Sequence, residues 1–148
     1  MPDQGRYRAV NGPRHAVKFQ PGDDLRAPHR SRAAQVADGG AAFWRRSPSE
    51  IDQDFPGWLV TAYRFEAGSG GWERHPACDE VLHLISGAMN VIIEQGRGQR
   101  VIDLRAGSTC VVPRGRWHRQ VARESGDLLA VTFGKGTQHR PDVGPSDD

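Results

Sequence analysis

Four side chains of types that commonly bind metal ions occur in two separate segments of this chain. Glu73 and His75 are two residues apart, so on an extended strand they project from the same face. Pro76 marks the end of the first strand, and Glu80 follows across a short turn. His118 comes just after a Pro-Arg-Gly turn, from which a strand can direct a side chain back into a barrel.

Two imidazoles and two carboxylates form a nitrogen and oxygen ligand set. Such a set suits Fe, Mn, Zn or Ni better than Ca, and it lacks the thiolates of a structural zinc cage. We therefore predict one divalent transition metal per chain, bound by Glu73, His75, Glu80 and His118. Glu73 is either a ligand or a catalytic acid/base group. Without the ion, two neighbouring carboxylates are expected to leave one of them protonated, with a raised pKa.

The spacing of these residues resembles the two signature motifs of the cupin superfamily. The first family motif reads Gly, five residues, His-x-His, three or four residues, Glu, six residues, Gly, and its second His, Glu and final Gly are matched here by His75, Glu80 and Gly87. The second reads Gly, five residues, Pro-x-Gly, two residues, His, and it is matched by Gly107, Pro113, Gly115 and His118. Glu73 stands where the family has the first His, and Ala122 stands where the family has an Asn separated from the His at 118 by three residues. The glycines before Trp72 do not fall at the interval of the opening Gly.

This resemblance covers roughly residues 58–134 and implies an all-β fold, a single cupin-type β-barrel of the jelly-roll kind with an irregular N-terminal extension. We divide the chain into an N-terminal extension at 1–40, a barrel at 41–134 and a flexible tail at 135–148. Small cupins commonly pair through their N-terminal segments, so the extension is a candidate dimer arm and a homodimer is expected.

The pattern of short apolar runs also indicates a barrel or sandwich, and no long segment has helical periodicity. Strands are expected at 41–45, 58–65, 80–85, 89–93, 100–104, 109–112, 117–121 and 128–133. Gly96, Arg97 and Gly98 are typical of a hairpin loop.

Strand parity suggests which residues line the interior beside the metal ligands. Arg116 and Gln120 share a face with His118 on a regular strand, so Gln120 is predicted to contact a substrate. Arg116 is either a catalytic residue that holds a carboxylate or enolate oxygen, or a turn residue in solvent. Tyr63 and Phe65 alternate on one strand and form either an apolar substrate wall or part of the core.

Other residues of reactive types are interpreted as structural. His83 is expected on the face opposite Glu80, and Trp72 and Trp117 are expected to point away from the ligands. Surface positions are expected for His15, His29 and His139. Cys78 and Cys110 are interpreted as a turn thiol and a core thiol.

Composition limits the classes of partner. A length of 148 residues fits one domain, and a net charge of +2 gives no reason to expect nucleic acid. No apolar run approaches the ~18 residues of a membrane span, and the polar start is not typical of a signal peptide. Two cysteines without metal-type spacing favour reduced thiols, so we predict a cytoplasmic protein.

The expected function is that of a metal-dependent enzyme acting on a small molecule. The resemblance implies dioxygenase chemistry if the ion is iron, or carbonyl- or enolate-directed chemistry at the two-His, two-Glu site. The alternatives are a non-redox cyclase, isomerase or lyase, and a non-catalytic cupin that binds a small ligand. The absence of a Gly-rich dinucleotide fingerprint argues against nicotinamide chemistry, and no helix-turn-helix region is recognised.

Overall fold

The computed structural model describes residues 15–19, 35–38, 41–55 and 57–141. The strands are β1 His15–Phe19, β2 Gln35–Asp38, β3 Trp58–Phe65, β4 Gly68–Ser69, β5 Trp72–Arg74, β6 Glu80–Gln95, β7 Gly98–Arg105, β8 Thr109–Val112, β9 His118–Phe133 and β10 Gln138–Arg140. Two short helices, α1 Ala41–Trp44 and α2 Pro48–Asp54, precede β3. The expected all-β fold is therefore confirmed.

All the strand pairs are antiparallel, and the main path through the sheet runs β10-β5-β9-β3-β1-β2. The two longest strands, β6 and β9, pair with each other from Val81 opposite Val131 to Ile93 opposite His118. Their register shifts between Leu84 and Met89, where the ladder is irregular. Such irregularities bend a strand without ending it. β6 and β9 therefore each continue through the bend as one long strand. The pairs of shorter strands predicted at 80–93 and 117–133 are therefore each a single strand.

Two glycines allow β6 and β9 to approach closely at this bend. Gly87 has a φ of +87°, and a Cβ atom there would lie 2.7 Å from the carbonyl oxygen of Ser125. A Cβ atom on Gly126 would lie 2.0 Å from the carbonyl oxygen of Ser86. No larger residue fits at either position without moving the backbone.

The core lies on the interior face of the two long strands and the strands beside them. Its members are Phe65, Leu82, Leu84, Met89, Val91, Ile93, Leu104, Cys110, Val112, Leu128 and Ala130. Glu80 shares strand parity with Leu82 and Leu84, and it is buried. The fold therefore directs a carboxylate into the interior of the barrel.

The expectation of a strand at 41–45 is wrong, because this segment begins with α1. Helix α2 was also missed, although its N-terminus has a clear signal. Ser47 caps the helix, Glu50 completes a capping box and Pro48 occupies the first turn. Both helices are too short to show a periodic apolar pattern, which is why their sequence resembled loop and strand.

The ends of the described chain add strands to the same sheet. β1 pairs with β2 and with β3 of its own chain. The other residues of the predicted N-terminal extension lie outside the described part, and its exchange between two chains stays a prediction. β10 pairs with β5 although it falls in the segment expected to be a flexible tail. Among the described residues, no helix has the length and apolar character that a membrane span requires.

Candidate metal centre

The four predicted ligands come together inside the barrel. Glu73 lies on β5 and is the direct cross-strand partner of His118, the first residue of β9. His75 follows the end of β5, and Glu80 begins β6. One ligand atom from each of the four residues lies within 4.8 Å of each of the others. His75, Glu80 and His118 are buried, whereas the side chain of Glu73 is 22% exposed.

Hydrogen bonds join the two sequence motifs that supply these residues. The backbone N–H of Gly115 donates to the carbonyl oxygen of His75 at 2.9 Å. The backbone N–H of Arg114 donates to Asp79 Oδ1 at 2.8 Å. Gly115 has a φ of +72°, a conformation that favours glycine, so the turn of the second motif can fold against the first. The ligands from both motifs are thereby held in one place.

The orientation of both imidazole rings follows from the partners of their Nδ1 atoms. His75 Nδ1 lies 2.9 Å from Thr137 Oγ1, whose hydroxyl donates to the carbonyl oxygen of Gly134. The hydroxyl oxygen therefore accepts a hydrogen bond from His75 Nδ1–H. His118 Nδ1 likewise donates to the carbonyl oxygen of Arg116 at 3.1 Å. With both protons on Nδ1, each ring presents the lone pair of Nε2 to the cluster.

The contacts within the cluster fit a bound cation. His118 Nε2 lies 2.8 Å from Glu80 Oε2, and His75 Nε2 lies 3.4 Å from Glu80 Oε1. His75 Nε2 is buried and makes no hydrogen bond. Thr132 donates a hydrogen bond to Glu80 Oε1 at 2.7 Å and so holds this carboxylate in place. Nitrogen lone pairs that face carboxylate oxygens need a positive charge between them, which either a proton or a divalent transition metal can supply.

The electrostatics of the four side chains correct one expectation. Burial favours a raised pKa for the carboxyl of Glu73, but hydrogen bonds with His118 and His139 hold its pKa well below the ordinary value. Burial opposes the charge on Glu80 too, and contacts with His118 and His75 lower its pKa. The expected carboxyl with a raised pKa is therefore wrong.

In the absence of an ion, the proton is held by an imidazole. Burial lowers the pKa of His118, but the carboxylates of Glu73 and Glu80 outweigh it and raise that pKa to about 10. The physical reason is that the imidazoles lie between the carboxylates, so charge pairing replaces repulsion. A proton and a metal ion thus compete for the same nitrogen of His118.

The residues predicted to contact a substrate are found in differing surroundings. The hydroxyl of Tyr63 donates to Oε1 of the buried Gln120 at 3.1 Å. Phe65 is buried in the apolar core. Arg116 is exposed in the segment before β9, and its carbonyl group holds His118. Contact of any of these side chains with a substrate stays a prediction.

Three residues beside the cluster were not predicted from the sequence to act there: Thr132, Thr137 and His139. His139 was interpreted as a surface residue, and its side chain is 57% exposed. It is also the cross-strand partner of Glu73, and its Nε2 lies 3.6 Å from Glu73 Oε2. No motif spacing could have indicated this, because the pairing joins strands that are far apart in the sequence.

Arginine and tryptophan side chains pack together on the face of β5, β9 and β10 that is turned away from the ligands. Arg140 lies over the rings of Trp72 and Trp117, at 4.8 and 4.6 Å from their centroids. Arg119 lies over Trp72 and Arg74 over Trp117. These cation–π contacts join β5, β9 and β10 on the side away from the ligands, as expected for the two tryptophans.

The remaining residues of reactive types lie away from the cluster or outside the described residues. His83 is half-buried and shares a hydrogen bond with Thr109 at 2.8 Å. Cys110 is a core residue, as expected, and burial raises the pKa of its thiol to about 11. Cys78 is half-buried, and both thiols are free. His29 and the side chain of His15 lie outside the described part of the chain.

Comparison with known families agrees with this geometry. The family model described as a cupin domain matches residues 63–134, which contain all four clustered residues. Residues 63–134 therefore match a cupin domain, and the resemblance drawn from the two motifs is confirmed. No protein among the curated ones matches the sequence significantly.

Several solved structures are similar to part of this chain. A cupin-2 domain containing protein from Shewanella frigidimarina is 24% identical, with 51% of this chain and 70% of that chain covered and a TM-score of 0.45. A protein from Neisseria meningitidis is 28% identical, with 51% and 73% covered and a TM-score of 0.42. A salicylate 1,2-dioxygenase from Pseudaminobacter salicylatoxidans is 18% identical, with 55% and 25% covered and a TM-score of 0.48.

Proposed function

We propose that this chain binds one divalent transition metal through Glu73, His75, Glu80 and His118 and acts as a metal-dependent enzyme on a small oxygen-bearing organic molecule. The observation that carries the proposal is the convergence of four ligand atoms within 4.8 Å, together with the Nδ1 contacts that leave both Nε2 atoms facing the cluster. Structural zinc sites use thiolates more commonly than carboxylates, so this donor set favours a catalytic site.

The access of a substrate to the cluster follows from the burial of its members. His75, Glu80 and His118 are closed off from solvent, whereas Glu73 is partly exposed. A substrate therefore approaches beside Glu73. When bound, a divalent ion can polarise a carbonyl group, stabilise an enolate or, as iron, support dioxygen chemistry. Two carboxylates offset the charge of the ion, which favours a dioxygenase or a carbonyl-directed reaction.

The chain's own residues have distinct roles in this proposal. Thr132 and Thr137 fix the directions of Glu80 and His75 through hydrogen bonds. Glu73, at the exposed side, is the ligand that an approaching substrate meets first, and its pKa, held well below the ordinary value, argues against the alternative role of a catalytic acid/base group. Tyr63, Phe65 and Gln120 are proposed to contact the substrate, and the guanidinium of Arg116 is proposed to hold a carboxylate or enolate oxygen.

An activity screen of the metal-loaded protein tests the proposed reaction class. Small keto acids, diketones and phenolic acids are incubated with the protein under air and under nitrogen, with the His75→Ala/His118→Ala variant as the inactive control. Turnover that needs oxygen supports a dioxygenase, and turnover under nitrogen supports a cyclase, isomerase or lyase. Saturable binding of a ligand without turnover contradicts the enzymatic proposal and indicates a binding cupin.

We also propose that the protein is a cytoplasmic homodimer, as its sequence indicates. Light scattering at micromolar concentration tests the dimer. A mass of twice 16.3 kDa is expected, and a monomer mass contradicts it.

A further inference from the structure

His139 lies at the exposed side of the ligand cluster, on a strand outside the matched cupin domain. It is paired in register with Glu73, and its Nε2 lies 3.6 Å from Glu73 Oε2. This distance equals the one between His118 Nε2 and Glu73 Oε1, both of which belong to the cluster. A third imidazole nitrogen is therefore as close to a cluster carboxylate as one of the cluster's own imidazoles.

The distance is compatible with a shared ion. Two ligand atoms bound to one transition metal at about 2.0–2.2 Å are separated by about 2.8–3.6 Å in tetrahedral or octahedral geometry. His139 Nε2, at 3.6 Å from Glu73 Oε2, lies at the upper end of this range.

A second contact from the same segment reaches a different ligand. Thr137 accepts the hydrogen bond of His75 Nδ1 and so fixes which nitrogen faces the cluster. The segment at 137–139 thus contacts two of the four clustered residues independently.

The opposite face of β10 is firmly anchored to the barrel. Gln138 accepts a hydrogen bond from Arg74 Nε at 2.7 Å. Arg140 packs over Trp72 and Trp117 and forms an ion pair with Glu94. These contacts hold β10 in register with β5, and they keep His139 beside Glu73.

We propose that β10 and the residue before it complete the metal centre, with His139 of β10 binding the ion as a third imidazole beside Glu73 and with Thr137 positioning His75. This inference rests on the proposed function, since it requires the ion. The centre then contains three nitrogen and two carboxylate ligands, and its most exposed nitrogen comes from the C-terminal strand. An exposed ligand is the one that an incoming substrate can displace most readily.

Counting imidazoles on the loaded ion tests this assignment without any activity measurement. Copper(II)-loaded protein is studied by pulsed electron paramagnetic resonance, and cobalt(II)-loaded protein by X-ray absorption. Three imidazoles are expected in the unchanged protein and two in His139→Gln, with an affinity for cobalt(II) weakened roughly tenfold or more. His83→Gln is the matched control, because His83 lies away from the cluster, and it should retain three imidazoles and the full affinity.

The outcomes separate this inference from the proposal on which it rests. Unchanged protein that binds one ion through two imidazoles, with the same spectrum in His139→Gln, overturns the role of His139 and leaves the four-residue site intact. Unchanged protein that binds no ion overturns both. A His139→Gln variant that binds cobalt(II) more weakly, but with the same number of imidazoles on the ion as the unchanged protein, also overturns ligation by His139. In that case His139 would act only through Glu73.

Thr137 is tested as a positioning residue by comparing two substitutions. Thr137→Val removes the acceptor for His75 Nδ1 and should weaken cobalt(II) binding, whereas Thr137→Ser keeps the hydroxyl and should restore it. Equal weakening by both variants would contradict the hydrogen-bond role.

Discussion

His118 Nε2 lies 2.8 Å from Glu80 Oε2, while the Nδ1 of the same ring is held by the carbonyl oxygen of Arg116. One nitrogen is thus committed to the backbone, and the other faces a buried carboxylate. The second nitrogen can receive either a proton or a metal ion, and this competition links metal binding to pH.

Metal binding is therefore expected to release about one proton per ion at pH 7, because the carboxylates raise the pKa of His118 to about 10. The affinity should rise with pH up to that value. Calorimetric titration in two buffers with different ionisation enthalpies measures the released protons. Binding without proton release at pH 7 would show that His118 is already neutral.

The same pKa values predict how the stability of the metal-free protein depends on pH. The pKa of His118 is raised on folding, so its contribution is full below 6.5 and is lost as pH rises through about 10. The pKa values of Glu73 and Glu80 are lowered, so their contribution is present above 4.5 and is lost as pH falls. Urea unfolding across pH should give a broad maximum between these limits, and a steady rise in stability above pH 10 would contradict it.

Thr132→Val should weaken metal binding by about tenfold, because Glu80 loses the hydroxyl that orients it. The loss of a hydrogen bond to a charged group should also lower the free energy of unfolding by about 1.5–3 kcal/mol. Thr132→Ser retains the hydroxyl and serves as the matched control. The measurements are cobalt(II) titration and urea unfolding. An unchanged affinity for cobalt(II) in Thr132→Val would show that the Thr132 hydroxyl does not orient Glu80 for metal binding.

Gly87→Ala should destabilise the fold more than Gly107→Ala. Both glycines have a positive φ, so each alanine costs about 1–2 kcal/mol of backbone strain. Only at Gly87 does the added Cβ also meet backbone atoms, 2.7 Å from the Ser125 carbonyl oxygen, whereas nothing lies within 4 Å at Gly107. The difference between the two unfolding free energies isolates this clash. Equal losses would mean that the bend between β6 and β9 relaxes freely.

Arg116→Ala should leave the metal content unchanged and lower kcat/KM, if its guanidinium holds an anionic substrate. The decrease should correspond to a loss of about 1.5–3 kcal/mol of transition-state stabilisation. The carbonyl oxygen that holds His118 belongs to the backbone, so the substitution retains it. Steady-state kinetics on a substrate from the screen provide the measurement. Full activity in Arg116→Ala would assign its side chain to the surface.

The sequence predicted the four clustered residues well because each motif is local. The intervals around His75 and His118 are set by turns, and turn residues such as Gly115 can be recognised directly. His139 and Thr137 could not be found in this way. Their positions depend on the register between β10 and β5, which pair across more than sixty residues of sequence. Cross-strand register of this kind is set by the packing of the whole barrel.

The continuity of β6 could not be predicted from the sequence either, for a different physical reason. Ser86, Gly87 and Ala88 interrupt the apolar alternation and resemble a turn, yet they form the bend of a continuous strand. A glycine in such a stretch fits either a turn or an irregular strand, and only the close approach of β9 decides between them.

The metal content of the purified protein tests the central claim most directly. Protein prepared without chelator and then saturated with cobalt(II) or iron(II) is measured by elemental analysis, alongside His75→Ala/His118→Ala and the control His83→Ala. We predict one ion per chain in the unchanged protein and in the control, and none retained by the double variant after desalting. Full occupancy in the double variant, or no ion in the unchanged protein, would contradict the assignment of Glu73, His75, Glu80 and His118 as a metal centre.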